Sequence, residues 1–379
     1  MKFIVNSQAL SKRLQSISGV ISNNNTVPIV SCFLFHQEQG TLTVRATDLD
    51  TTLVLKMEVE APASEDVSDV AVPSKLILDI LKSLDDVPLT FSVDSNNYSI
   101  EMTSGEGKYR LAGQNPELFP AMPVVENTVA VTIPGSALVS AINKTIFATS
   151  NDEMRQQMNG IYCQLTPDGA TFVATDAHKL VRYKRSDVKS DESTDFIFPK
   201  KPISLVKKIL DGRYEDSDIT MEYNSTNVFF SFDNFFISCR LVDGKYPNFE
   251  AAIPKDNPNK LTLDRISFAN ALRRVKLFAN QSTSQVRLIL SEQELVISAE
   301  DLEFSNDARE KMPCEYSGEP MEIGFNANFL LEMITNISTE HILFELSQPS
   351  RAGIIFPVNT DEETTENLLM LVMPVMLAN

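Results

Sequence analysis

A threonine, an aspartate and a histidine stand within four positions at Thr175, Asp176 and His178. A hydroxyl, a carboxylate and an imidazole this close are the parts of acid–base machinery, in which an imidazole trades the proton and a carboxylate orients it. The rest of the chain withholds the support that such chemistry needs. Thr47-Asp48 repeats Thr175-Asp176 at a distance of 128 residues, yet no histidine accompanies it. No glycine-rich nucleotide loop and no serine elbow appear either. A Thr-Asp pair that recurs without its histidine reads as a turn cap, so no catalytic residue is assigned. His36, His178 and His341 lie far apart with no His-x-x-x-His pair, and Cys32, Cys163, Cys239 and Cys314 lack the paired spacing of a zinc or redox site. The expectation is four buried, reduced thiols, no metal and no other cofactor.

The elements that would position these residues are organised by a threefold repeat. Ala71-Val72-Pro73-Ser74-Lys75-Leu76 recurs as Ile197-Phe198-Pro199-Lys200-Lys201-Pro202, and more weakly as Ile323-Gly324-Phe325-Asn326-Ala327-Asn328. Positions 73 and 199 are 126 residues apart, close to a third of the 379-residue chain. Phe119-Pro120 returns as Tyr246-Pro247 with nearly the same shift. Such a period is a domain length and too long for a solenoid unit. Each third opens on a strand followed by a helix: Lys2 to Val5 then Ser7 to Ile21, Val129 to Ile133 then Ser136 to Ala148, and Leu261 to Leu263 then Arg265 to Phe278. In the first helix Leu10, Leu14, Ile17 and Ile21 fall on one face. Hairpin patterns follow, as in Leu89 to Val93 turning back through Tyr98 to Met102, Ile219 to Tyr223 returning through Val228 to Phe232, and His341 to Leu346. Each third is therefore read as α+β, with two helices and antiparallel strands, and the domains as residues 1–125, 126–253 and 254–379.

Charge is distributed unevenly over these elements. With 33 Lys+Arg against 51 Asp+Glu the net charge is −18, which excludes a protein coated in basic patches. The cations nevertheless collect on the repeated helices: Lys12 and Arg13, Lys75 and Lys82, Lys144, Lys200 and Lys201 leading into Lys207 and Lys208, then Arg273 and Arg274. Any one such helix is explained by its solvated face, whereas repetition at equivalent places in three domains implies one shared surface aimed at a polyanion. No zinc-finger spacing or aromatic run accompanies them, so the expected contact is with phosphates and independent of base sequence. The residues from Met1 to Ser7 turn polar before a secretory segment could form, and no stretch approaches the ~18 apolar residues of a membrane span. The expectation is a soluble, cytoplasmic protein with no membrane partner.

Several segments, in order and at period, resemble the bacterial DNA polymerase III beta subunit family, the sliding clamps. They are Met1-Lys2-Phe3, Ala46-Thr47-Asp48-Leu49, Arg155 with Asn159-Gly160, Val173 to Leu180, Leu241 to Pro247, Glu322 to Asn326 and Val372-Met373-Pro374. The resemblance runs the length of the chain. It implies the DNA-clamp fold, with three similar domains per subunit and a six-domain ring closed by a head-to-tail homodimer around double-stranded DNA. It implies a non-catalytic processivity subunit that recruits the replicative polymerase, the clamp loader and repair factors. The family's partner-peptide pocket maps here onto Arg155, Met158, Thr175, Ala177, His178, Leu180, Pro247, Ala252, Asn326, Phe329, Leu371, Met373, Pro374 and Val375, in which Met and Leu suit a variable ligand while Arg155, His178 and Asn326 fix its polar groups. The family's subunit contact maps onto Lys108, Tyr109 and Leu111 meeting Leu277 and Phe278, with Lys75 opposite Glu300, Asp301 and Glu303. Ala177 stands where the family has glycine, Lys179 and Ala251 where it has arginine, Met376 where many members are basic, and Ala378-Asn379 extend the usual end. Gln156 and Gln157 replace tyrosines that touch DNA in some members, and Asn23 to Asn25 lack an arginine found nearby. The rival reading, a protein-only interaction scaffold of repeated domains, leaves the basic helices unexplained.

Overall fold

The computed structural model describes residues 1–21, 26–62, 68–358 and 364–377, so Asn23 to Asn25 and Ala378-Asn379 lie outside the described residues. Six α-helices occur among these: α1 (Ser7–Ile17), α2 (Ser74–Ser83), α3 (Gly135–Thr145), α4 (Lys200–Leu210), α5 (Arg265–Val275) and α6 (Ala327–Thr335), two in each third of the sequence. α1 starts where Asn6 turns its side-chain oxygen to the Ala9 N–H, and α5 where Asp264 does the same for Ser267. In α1, Leu10, Leu14 and Ile17 are buried while Lys12 is exposed; in α4, Ile203, Val206, Ile209 and Leu210 are buried. The apolar stripe fixes which face each helix lays on its sheet.

The first helix of each third is shorter than its periodicity suggests. α1, α3 and α5 each give way to a three-residue 3₁₀ turn, at Ser18–Val20, Ile146–Ala148 and Lys276–Phe278. The tightening satisfies terminal carbonyls: Ile21 donates to Ser18, Thr149 to Ile146 and Ala279 to Lys276.

The chain forms two compact units. The first comprises Met1–Val139 and Lys201–Leu241. It holds a four-stranded sheet in the order Lys2–Asn6, Pro88–Val93, Ser99–Ser104, Gly107–Ala112. It also holds an eight-stranded sheet in which Thr51–Glu58 from the first third pairs antiparallel with Phe235–Arg240 from the second, Leu55 opposite Phe235. The second unit comprises Ser140–Lys200 and Val242–Asn379. Its nine-stranded sheet joins Lys179–Arg185 to Glu366–Val372, Leu180 opposite Leu371, and its four-stranded sheet runs Asn306–Pro313, Glu294–Asp301, Gln285–Leu290, Met321–Asn326. The middle third of the sequence is thus divided between the units. Strand alternation places the core: in Pro88–Val93, Leu89, Phe91 and Val93 are buried, and Phe91 stacks on Phe3 at 4.9 Å.

All four cysteines are free thiols; Cys32, Cys163 and Cys239 are buried, while Cys314 is only partly so, a correction to the expectation of four buried thiols. Cys314 lies just past the edge strand that ends at Pro313, where the sheet does not cover it. No helix of the described residues is long and apolar enough to cross a membrane.

Candidate functional site

The Thr-Asp turns explain the residues that first suggested chemistry. The Asp176 carboxylate accepts from the backbone N–H groups of His178 and Lys179, each at 2.9 Å. The Thr175 hydroxyl donates to the Lys179 carbonyl at 2.7 Å and accepts from Ala177 N–H. Thr47 and Asp48 repeat this pattern around Leu49 and Thr51. Both carboxylates therefore hold turns, as their recurrence without a second histidine suggested, and Asp176 Oδ1 holds backbone N–H groups. The turns bend through the left-handed region at Leu49 (φ 85°) and Ala177 (φ 76°). That conformation favours glycine, which accounts for the residue that the resemblance places at 177.

The turn projects His178 into solvent beside α6, where its ring stacks on Phe329 with centroids 6.0 Å apart and planes 19° apart. Below it lies an apolar cluster containing Tyr162, Val173, Leu180, Ile197, Tyr246, Ile354, Leu369 and Leu371, with Val242, Phe249, Ile253 and Phe356 packed on its rim. Tyr162 and Tyr246 stack at 4.9 Å, and burial pushes both phenols up, Tyr162 to about 12. These phenols stay neutral and serve as packing surface. The tail after Val372 is tied on both sides: Met373 N–H donates to the His178 carbonyl and Val375 N–H to the Gly324 carbonyl. Gly324 has no room for a side chain there, because a Cβ would meet the Val375 carbonyl and the Leu377 side chain. A groove of about 520 Å³ runs beside this tail between Arg287, Glu322, Pro349 and Met376.

Of the residues assigned to the pocket, His178 meets Phe329 through its ring and Met373 through its backbone carbonyl, and Leu180 and Leu371 are buried in the apolar cluster. Met373 is 40 % exposed and free to contact a ligand. Pro247 and Ala252 flank the rim residue Phe249, Ala252 closing a short 3₁₀ turn. Pro374 and Val375 are half-buried in the tied tail. Arg155 and Met158 lie on the irregular segment Glu153–Met158, with Arg155 exposed and 3.4 Å from Asp152. Two of the assigned residues are bonded within the protein. Thr175 is 7 % exposed with its hydroxyl bonded inside the turn. Asn326 caps α6 through Asn328 N–H and donates to the Thr283 carbonyl, which occupies both ends of its amide. Tyr162, Tyr246 and Phe249 belong to the apolar cluster and Lys179 is buried beside Phe329, and none of them is in the sequence assignment; the period-2 runs around Tyr162 and Val173 were the available signal.

The helix cations divide into two groups. Lys12, Lys75, Lys82, Lys207 and Lys208 have no ion pair among the described residues. The others are engaged within the protein. Lys144 donates to the Asn336 carbonyl at 2.8 Å, and burial lowers its pKa. Lys201 pairs with Asp48 at 2.7 Å and Lys200 donates to Asn151 at 2.8 Å. Arg274 makes a two-point contact with Glu310 at 2.8 and 2.6 Å, Arg273 donates to Asn270, and Arg13 lies 5.9 Å from the centre of the Phe235 ring. These partners are up to 192 residues away in sequence, so local spacing does not reveal them.

Each unit also carries an open sheet edge. Gly107–Ala112 closes one four-stranded sheet and Asn306–Pro313 the other, with no strand on the far side of either among the described residues. Lys108 is exposed and pairs with Glu101 at 2.8 Å; Tyr109 is half-buried. Leu277 is 81 % and Phe278 41 % exposed, so neither belongs to the core. Leu302 and Phe304, likewise exposed, flank Glu303. Two residues assigned to the interface are buried in the single chain. Leu111 is buried in its own sheet, pointing inward by strand alternation, and Asp301 is buried with its carboxylate accepting from Glu303 N–H. Glu300 and Glu303 remain exposed.

Comparison with known proteins decides between the readings. The models for the N-terminal, central and C-terminal domains of the DNA polymerase III beta subunit match residues 1–123, 132–248 and 250–374. The chain belongs to the DNA polymerase III beta subunit family. The beta sliding clamp of Synechococcus elongatus is 27 % identical over 381 residues, and that of Escherichia coli 26 % over 377, each alignment covering 100 % of both chains. A Pseudomonas aeruginosa sliding clamp bound to griselimycin superposes with a TM-score of 0.91 at 27 % identity over 100 % of both chains. A C. crescentus beta sliding clamp, with polyethylene glycol at its beta-motif tethering region, gives 0.91 at 26 %. The fold is the three-domain clamp fold. The chain is a sliding clamp, a non-catalytic processivity factor of DNA polymerase III. Among the described residues no three His, Cys, Asp or Glu side chains converge as a metal site.

Proposed function

We propose that two copies of this chain close head to tail into a six-domain ring around duplex DNA, and that partners dock as short peptides in the pocket formed by His178, Leu180, Phe329, Leu371 and Met373. The carrying observation is the pair of open strand edges. Where one sequence third meets the next, the seam is an antiparallel strand pair: Thr51–Glu58 with Phe235–Arg240, and Lys179–Arg185 with Glu366–Val372. Gly107–Ala112 and Asn306–Pro313 offer the same kind of edge without an intrachain partner among the described residues. Pairing them between copies repeats the internal seam and removes two exposed edges. Leu277 and Phe278 supply apolar surface for that contact, and the exposed Glu300 and Glu303 face a cation such as Lys75.

Lys12, Lys75, Lys82, Lys207 and Lys208 support a sequence-independent contact with phosphates in a chain of net charge −18. A few free cations draw DNA in without gripping it, which suits sliding. The ring is tested by loading the protein onto nicked circular DNA and then cutting the circle. Retention on the circle and loss after linearisation is the expected result; equal retention on both overturns the topological reading. The pocket is tested with griselimycin, which the P. aeruginosa clamp binds. Binding is expected to fall at least about tenfold in His178→Ala, and unchanged affinity places the ligand elsewhere.

A further inference from the structure

The second unit buries a lysine that the pocket itself does not use. Lys179 is 5 % exposed, yet its ammonium lies against the Glu332 carboxylate of α6 and 3.7 Å from Asp176. It also sits 5.0 Å from the centre of the Phe329 ring and 5.8 Å from that of Phe147. Its backbone is fixed independently, because Lys179 N–H donates to Asp176 and its carbonyl accepts from Thr175. One end of the side chain is therefore anchored in the Thr-Asp turn and the other on α6.

We infer that Lys179 is a positioning residue of the partner pocket: ion-paired to Glu332, it holds the Phe329 ring against His178 so that this wall stands preformed before a peptide arrives. Glu332 follows Phe329 by three positions, so the carboxylate and the ring share a face of α6. Phe329 is held from two directions, by the His178 ring at 6.0 Å and by the ammonium at 5.0 Å. Lys200, bonded to Asn151, also feels the charges of Lys179 and Glu332. Stability alone gives little reason to keep such an arrangement, because burying the Lys179 end costs desolvation while the Glu332 end, 46 % exposed, is screened by solvent. Setting one element's register against another is a better-attested use of a charge held inside a fold. A preformed wall lowers the ordering cost that a short peptide pays on docking.

This inference rests on the pocket reading above, and the experiment separates the two. Griselimycin affinity is measured by calorimetry on the full chain for the native protein, Lys179→Met, Glu332→Gln, the double variant and Lys179→Arg, alongside His178→Ala. Glu332 is half-exposed and Gln is its isostere, so that variant keeps the fold even if Lys179→Met does not. Lys179→Met and Glu332→Gln are each expected to weaken binding about tenfold, the double variant no more than either single change. Lys179→Arg keeps the charge and the ring contact and is expected to stay within about threefold of native. Native-like affinity in Lys179→Met and Glu332→Gln, with only the melting temperature lowered, overturns the positioning role while leaving the pocket intact. Failure of the native chain to bind, or an unaffected His178→Ala, overturns the pocket reading and this inference with it.

Discussion

Replacing Leu277 by alanine tests the subunit seam with a magnitude that follows from symmetry. The side chain is 81 % exposed in the single chain, so truncation removes little from the fold of the protomer. If it is covered in the ring, complete burial of a leucine contributes about 1.5–3 kcal/mol, of which alanine retains only part, leaving a loss of about 1–2 kcal/mol at each contact. A two-fold head-to-tail ring contains that contact twice, and dissociation breaks both, so the penalty doubles to about 2–4 kcal/mol. At about 1.4 kcal/mol per factor of ten, the dimer dissociation constant rises roughly 30- to 1000-fold. Sedimentation velocity over a dilution series of native and variant protein reads this directly. Leu111→Ala is the informative contrast: Leu111 is 5 % exposed within its own sheet, so its loss acts first on protomer stability, by about 2–5 kcal/mol. An unchanged dimer constant in Leu277→Ala, within about threefold, refutes the placement of the seam and with it the doubling argument.

Charge removal separates free from occupied cations. Lys207→Gln with Lys208→Gln is expected to flatten the salt dependence of DNA binding by about 1.8 in log–log slope per subunit, about 3.6 for the two-subunit ring, if both meet phosphates, whereas Arg274→Gln, already paired with Glu310, changes it little; equal effects contradict the division. Leu49→Gly and Ala177→Gly place glycine at φ 85° and 76° and are expected to gain about 0.5–1 kcal/mol each in denaturant unfolding, with a loss showing that the side chains do other work. The Asp264 carboxyl is held below its ordinary value of 3.8 by its hydrogen bonds to Ser267 at the start of α5. Its contribution to stability is therefore complete above that value and is lost as pH falls through the lower, folded-state value. Asp264→Asn is expected to flatten the acid limb of the melting-temperature profile below about pH 4, and an identical limb excludes the cap as its source.

The threefold organisation was legible because it is written in local signals. Caps, apolar stripes and hairpin alternation repeat at a domain period, and the strand His341–Leu346 occurs with the bounds its alternation indicates. The Thr-Asp turns were legible for the same reason, since their bonds span only two to four residues. What local spacing did not show depended on distant partners. Whether Lys144 faces solvent is settled by Asn336, and whether Arg274 is free is settled by Glu310. Leu111 and Asp301 were assigned to a surface by family position, but strand alternation turns one inward and a hairpin-tip bond turns the other. Lys179 was noticed only as a replacement for the family's arginine, because its pairing lies in Glu332, and α6's only acid gave no hint of a partner 153 residues away.

The division of the middle third between two compact units bears on how this protein can be taken apart. Repeats in sequence invite dissection at their boundaries, yet here a sheet crosses each one. A fragment ending at residue 125 would leave Thr51 to Leu55 without the strand that now covers them, baring a fresh row of amide and carbonyl groups on a flat apolar sheet. The heritable module and the foldable module are therefore different objects in this chain. Severing it between repeats would bare a strand edge on each piece and invite self-association.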